Sequence, residues 1–265
     1  MNNNKKLKIG LALGGGGAKG LSHIGVIKIL EENNIPIDYI AGSSIGALIG
    51  GMYSSGMSIN KIEEIARNTN WQQMFSLIDI SFDGSGLIEG EKVKKFINDR
   101  INDHAFEDCK IPFSAIATDL KNGESVVFNS GEMGIAIRAS ISIPLFFKPV
   151  KIDGKLLADG GLSQPVPVSV VRDMGADVII AVNINSDYFY DTENNNPGFY
   201  SIAENSIQIL NKHLSICNSL GADVVIAPLV GHIKINEFID GGKIIKAGED
   251  ATLNMLQQII SITNQ

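Results

Sequence analysis

The sequence predicts an α/β fold of the doubly wound kind, and three observations carry that prediction. Residues 7–41 read as strand, glycine turn, helix and strand, the β-α-β unit that leads to parallel pairing. Apolar, β-prone runs then alternate with helix-period stretches through the rest of the chain. Finally, 265 residues with 44% hydrophobic and 19% charged can build one substantial core, so one large domain over 7–262 is expected behind a flexible 1–6.

Each element has its own signal. Residues 7–13 form a first strand, and Ile24, Val26, Ile27 and Leu30 recur at helical spacing over Leu21–Glu32. Asn33-Asn34 ends that helix, and Pro36 precedes a second strand over 37–41. Ile45–Ser54 reads as a helix of small residues suited to close packing, and Met57–Asn68 as a short amphipathic one. Trp71, Met74 and Phe75 are candidates for an acyl pocket, with core packing the default. Residues 83–90 read as a loop and Glu91–Asp103 as a helix with a charged face.

Phe113–Thr118 is expected as a strand with Ser125–Phe128 its antiparallel neighbour, followed by a helix over Ile135–Ser140. Phe147–Ile152 and Lys155–Ala158 flank Asp153-Gly154, a strong two-residue hairpin signal. Val168–Met174, Tyr200–Leu220 and Gly242–Ile260 read as helices; Asp177–Val182 and Asp223–Ala227 read as strands. Tyr188–Pro197, polar and asparagine-rich, reads as a mobile surface loop.

Composition excludes several function classes. A formal charge of −7 and a pI near 5.1 argue against a general attraction to nucleic acid or anionic membranes. Cys109 and Cys217 have no metal-ligand spacing and suit buried or spectator thiols in a reducing compartment. Lys5-Lys6-Leu7-Lys8 precedes an apolar run too short for a signal peptide, no stretch approaches membrane-spanning length, and no lipidation motif ends the chain. The expectation is a soluble, cytoplasmic protein.

The chemistry centres on Ser44. Gly42-Ser43-Ser44-Ile45-Gly46 fits the nucleophile-elbow pattern G-x-S-x-G between a strand and a helix. A sharp turn would hold the serine in a strained conformation, with its hydroxyl raised at the positive end of a helix. The earlier run, Gly14 to Gly20, has three readings. A Walker loop fails because the order is Lys19-Gly20 rather than Gly-Lys. A dinucleotide fingerprint survives on Gly15, Gly17 and Gly20, but the acidic residue it needs at the next strand's end is missing, Asp38 lying at that strand's start. An oxyanion hole built from the N–H groups of Gly15, Gly16 and Gly17 fits best beside an elbow.

A serine needs a neighbour to take its proton. Of four histidines, His232 is a candidate by chain order, whereas His104 and His213 read as exposed and His23 as locally packed or hydrogen-bonded. Asp159, before Gly160-Gly161, is either a turn aspartate or a carboxylate thrust from a strand end. Ser140 and Ser142 lack elbow glycines and read as structural, within an apolar turn (140–147) placed to wall the site.

These three motifs in order, Gly15-Gly16-Gly17-Ala18-Lys19-Gly20, Gly42-Ser43-Ser44-Ile45-Gly46 and Asp159-Gly160-Gly161, resemble the patatin-like phospholipases, and the likeness runs over essentially the whole chain. The resemblance implies a three-layer α/β/α sandwich around a mainly parallel sheet. It also implies a serine–aspartate dyad in which Ser44 is the nucleophile, Asp159 the base and the Gly15–Gly17 amides the oxyanion hole, without histidine. Lys19, where arginine is frequent, keeps a cation beside the hole, and Asp-Gly-Gly is a common family variant. The implied substrates are phospholipids or lysophospholipids, with calcium independence, no cofactor and no metal expected. The apolar 141–147 edge, with Trp71 or Phe75, is a candidate for transient membrane contact, while no strong amphipathic anchor is evident. The rivals are a transacylase with the same dyad, a non-catalytic regulatory protein, and a dinucleotide-binding oxidoreductase.

Overall fold

The computed structural model describes residues 6–69, 90–101, 103–188, 198–234, 237–238 and 240–263. Trp71, Met74 and Phe75, residues 83–89 of the expected loop, residues 189–197 of the asparagine-rich loop and residues 1–5 lie outside the described residues. The strands are β1 (Ile9–Leu13), β2 (Tyr39–Ser43), β3 (Phe113–Asp119), β4 (Ser125–Phe128), β5 (Val150–Ile152), β6 (Lys155–Asp159), β7 (Val178–Val182) and β8 (Val224–Ile226). The helices are α1 (Ser22–Glu32), α2 (Ile45–Ser54), α3 (Ile59–Asn68), α4 (Glu91–Ile101), α5 (Met133–Ser140), α6 (Val168–Asp173), α7 (Phe199–Ser219) and α8 (Gly241–Thr263).

The elements match the sequence reading with small boundary shifts that have local causes. Helix α3 starts at Ile59 because the Ser58 side chain accepts the Lys61 N–H and caps it. Gly17–Leu21 is a 3₁₀ turn, so the α-helix behind the glycine loop begins only at Ser22. Strand β2 starts at Tyr39 and runs on to Ser43 because Gly42 still pairs with Leu13. Asp38 precedes it, accepting from Lys8 Nζ at 2.7 Å and from Ile9 N–H at 2.9 Å, at the opposite end of the strand from the glycine loop.

Strand β1 is central and buried on both faces, pairing in parallel with β2 and β7; β2–β3 and β7–β8 are also parallel. Side-chain size differs between the two faces. Leu11, Leu13, Ile40, Ile180 and Val182 point into a large core with α1, α2 and α8, while Ala12, Ala41, Ile179 and Ala181 pack under α6. The small residues let α6 approach closely: a side chain at Gly10 would meet Val171 Cγ1 at 2.0 Å. The result is helices on both faces of a mixed, mostly parallel sheet.

The other end of the sheet is antiparallel. Strand β3 pairs with β2 through residues 113–116 and with β6 through 117–119, while β4 pairs across 115–118. Because β4 overlaps both, it occupies one edge of β3, and β2 and β6 lie end to end along the other. The register sets Ser43 opposite Ile116 and Asp159 opposite Ala117. That single step along β3 places the two motifs side by side. Thiol placement departs in part from expectation: Cys109 is half-buried near Met133, but Cys217 is exposed on α7.

Candidate active site

Parallel strands in register deliver three loops to one edge. Leu13, Gly42 and Val182 are aligned neighbours, so the glycine loop, the elbow and the Asn183–Asn185 segment emerge together at the carboxyl ends of β1, β2 and β7. Ser44 sits at φ 54° and ψ −123°, a left-handed conformation unusual for a residue with a side chain, as the N-cap of α2. The turn is tight because α2 packs backbone against backbone: a Cβ at Gly46 would lie 2.3 Å from the Leu13 carbonyl oxygen.

Ser44 Oγ donates to Asp159 Oδ2 at 2.6 Å, and both side chains are buried. Asp159 Oδ1 accepts the Gly161 N–H at 2.7 Å, and Thr118 Oγ1 donates to the Asp159 carbonyl at 2.8 Å. Gly160 has no room for a side chain, since a Cβ would sit 2.2 Å from the Ile116 carbonyl oxygen. Burial pushes the Asp159 carboxyl up to about 6, against the opposing pull of the hydrogen bonds from Ser44 and Gly161. The end of α5 and the turn after it hold both backbones: Ser44 N–H donates to Ser140 Oγ at 2.9 Å, and Asp159 N–H donates to the Ser142 carbonyl at 3.0 Å. Ser142 is itself fixed by Arg138, whose Nη1 donates to its Oγ at 2.7 Å. Ser140 and Ser142 thus hold the backbones of Ser44 and Asp159 in place.

The glycine loop divides into used and unused amides. Gly15 N–H donates to the Pro165 carbonyl at 2.9 Å, so it is committed to the fold and drops out of the expected oxyanion trio. Gly16 and Gly17 N–H have no acceptor among the described residues, and both glycines line the cavity at Ser44. Lys19 is buried behind the loop. Its Nζ donates to Asn185 Oδ1 at 2.8 Å and lies over the Tyr188 ring, while Asn185 Nδ2 donates to the Gly15 carbonyl at 2.7 Å. Burial lowers the Lys19 ammonium to about 8, with Asp187 pulling the other way.

Among the described residues, no histidine lines the cavity. His23 Nε2 donates to the Gly14 carbonyl at 2.7 Å, and burial drives its ring down to about 4, so it is neutral at physiological pH. His213 and His232 are exposed and His104 is half-buried, so the structure does not bring His232, the candidate base by chain order, to Ser44. Among the described residues no group of three or more His, Cys, Asp or Glu side chains could hold a metal ion.

The cavity is narrow, about 30 Å³, roughly the space of one water molecule. Ile143 and Pro144 form one wall, in keeping with the expected role of the apolar turn, and Ile207, Gln208 and Asn211 of α7 form another. Asn185, Gln208 and Asn211 escaped the sequence reading because a lone amide carries no motif. Asn211 Oδ1 is buried with no partner among the described residues, leaving an acceptor at the cavity.

The sequence model of the patatin-like phospholipase family matches residues 11–172, more than half of the chain and all three motifs. The chain belongs to this family. Among patatin-like relatives, an uncharacterized NTE family protein of Mycobacterium bovis is 41% identical over 178 residues, covering 67% of this chain and 49% of the relative. The neuropathy target esterase sws of Drosophila melanogaster is 34% identical, covering 70% of this chain and 13% of its own length. The chain thus spans about half the length of the mycobacterial relative and a small part of the insect one. Among solved structures, VipD from Legionella pneumophila superposes with a TM-score of 0.60 at 15% identity, covering 96% of this chain and 67% of that one. ExoU of Pseudomonas aeruginosa, in its complex with SpcU, gives 0.58 at 16% identity over 97% of this chain and 52% of that one. At these identities the likeness is one of fold.

Proposed function

We propose that the protein is a serine acyl-hydrolase that cleaves fatty acyl esters of phospholipids or lysophospholipids through an acyl-enzyme on Ser44. The observation that carries this reading is the 2.6 Å hydrogen bond from Ser44 Oγ to a buried carboxylate. Asp159 accepts the Ser44 proton as Oγ attacks the acyl carbonyl, and the Gly16 and Gly17 amides hold the oxygen that becomes negative. Asp159 then returns the proton to the departing alcohol, and water resolves the ester on Ser44 by the same route in reverse.

An aspartate at its ordinary value would be a feeble base. Raised to about 6 by burial, Asp159 is still ionised at neutral pH yet far more willing to take a proton. Its Oδ1, tied to Gly161 N–H, keeps Oδ2 aimed at the serine. Membership of the patatin-like phospholipase family supports a lipid ester as substrate.

The test is labelling with a fluorophosphonate followed by mass mapping of the adduct. Wild type should carry one adduct on Ser44, Ser44→Ala none, and Asp159→Asn the same adduct formed far more slowly. A folded wild type that takes up no label, or labels elsewhere, would sink the assignment. Ester turnover by Ser44→Ala should fall by about 10⁴-fold or more.

A further inference from the structure

Helix α7 is built inside out. Its exposed strip carries Ile202, Ile209, Leu210 and Ile216, continued by Leu220 at its C-cap, each 41–81% exposed, and Cys217 lies on the same strip. Ser206 and His213 are polar members of that strip, and no Asp, Glu, Lys or Arg stands on it. The face turned to the protein is polar. Gln208 and Ser215 are buried, Asn205 accepts from the Tyr188 hydroxyl, and Lys212 donates to the Tyr188 carbonyl. A surface helix in water shows the reverse pattern, and an exposed, largely apolar strip marks a contact surface.

We propose that this strip docks on a zwitterionic lipid surface, with α7 lying in the plane of the interface. From Ile202 to Leu220 the strip is about 27 Å long, at 1.5 Å per residue. Among the described residues no helix is long and apolar enough to cross a membrane, and α7 is apolar on one face alone. The strip has no basic residue and the chain carries a charge of −7, so an anionic surface would repel the protein while a zwitterionic one would not.

The location, on a helix that borders the cavity at Ser44, favours a lipid occupant. The inner face of the same helix supplies Ile207, Gln208 and Asn211 to the cavity at Ser44. A lipid surface on the outer face therefore lies about one helix diameter, ~10–12 Å, from the reacting serine. The proposal rests on the acyl-hydrolase reading for the identity of the substrate, but not for the docking itself.

The experiment is co-sedimentation with phosphatidylcholine vesicles, using Ser44→Ala so that no lipid is consumed. Ser44→Ala should pellet with the vesicles. Adding Ile209→Ser and Leu210→Ser should weaken partitioning by about tenfold or more, with an unchanged thermal melt. In an active background, the same pair of substitutions should leave turnover of a soluble, monomeric short-chain ester unchanged and slow turnover of vesicle lipid by about tenfold. Protein that stays in the supernatant overturns the proposal, as does undiminished binding by the double variant. A dimer in light scattering that the double variant splits, with no vesicle binding, overturns it in favour of a second copy. Vesicle binding with no ester hydrolysis of any kind would uphold docking and sink the acyl-hydrolase reading instead.

Discussion

Two helices border the Ser44 cavity, and they treat apolar side chains in opposite ways. Helix α2, capped by Ser44, is buried on nearly every side against the sheet and the large core. Helix α7, which roofs the cavity with Gln208 and Asn211, turns most of its polar residues inward and Ile202, Ile209, Leu210 and Ile216 outward. The difference follows from what each must hold. Ser44 is kept in a left-handed backbone conformation, which persists only where the surroundings leave the chain no alternative. The roof has to meet polar groups at the site, and its anchorage is correspondingly hydrogen-bonded rather than apolar.

The comparison can be broken hardest on the side of the rigid floor, at the carboxylate that Ser44 meets. Asp159→Asn should lower kcat by about 10³-fold or more, because a neutral amide cannot take the serine proton. In wild type, kcat/KM should rise with pH through about 6 and level off above it; the rise should vanish in the variant. Stability should move the other way. The folded-state value of Asp159 lies above its ordinary 3.8, so the folded protein binds more protons than the unfolded chain between about pH 4 and 6. Stability should therefore fall as pH rises through that window, by up to about 3 kcal/mol for this one group. Asp159→Asn should flatten that slope and leave the protein at least as stable as wild type at pH 7 in urea denaturation, a trade of stability for function.

Next in size is Gly46→Ala, where a methyl group must fit 2.3 Å from a backbone oxygen that belongs to the central strand. A loss of ~3 kcal/mol in urea denaturation is expected, and an unshifted midpoint would show that α2 can slide. Ser140→Ala strips the Ser44 amide of its acceptor while leaving the Ser44–Asp159 hydrogen bond intact. It should cost about 1 kcal/mol in stability and lower kcat with little change in KM, as measured by steady-state kinetics on a soluble ester. Smallest of all, Leu210→Ser on the outer strip should shift the denaturation midpoint by no more than about 0.5 kcal/mol. A large loss there would mean that α7 is anchored by its apolar face after all.

Much of this molecule was legible in its sequence because the strongest signals are local. The elbow glycines, the helix periods and Asp153-Gly154 at the hairpin each name their own conformation. Asp159 was legible only through the resemblance. Spacing left it as a turn aspartate or a strand-end carboxylate, and only the antiparallel placement of β6 along β3 puts it at Ser44. The engagement of the Gly15 amide was hidden for the same reason, since Pro165 is remote in sequence. Nor did any residue pattern hint that α7 faces outward with its apolar side. Period 3.6 shows that a helix has two faces, not which of them meets the protein; here Asn183, which donates to Ser219 Oγ, and the cavity decide.

The shared edge of β3 has a consequence in time as well as in space. Ser44 and Asp159 are 115 positions apart along the chain and meet only where β2 and β6 abut. Pairings so distant are slow, because a long loop must close before any contact rewards it. During synthesis the serine elbow emerges well before its carboxylate partner exists, so a half-made chain carries an unarmed hydroxyl. Esterase activity should accordingly return late in refolding, after helix content has recovered. On the proposed acyl-hydrolase reading, turnover would then report the closing of the sheet.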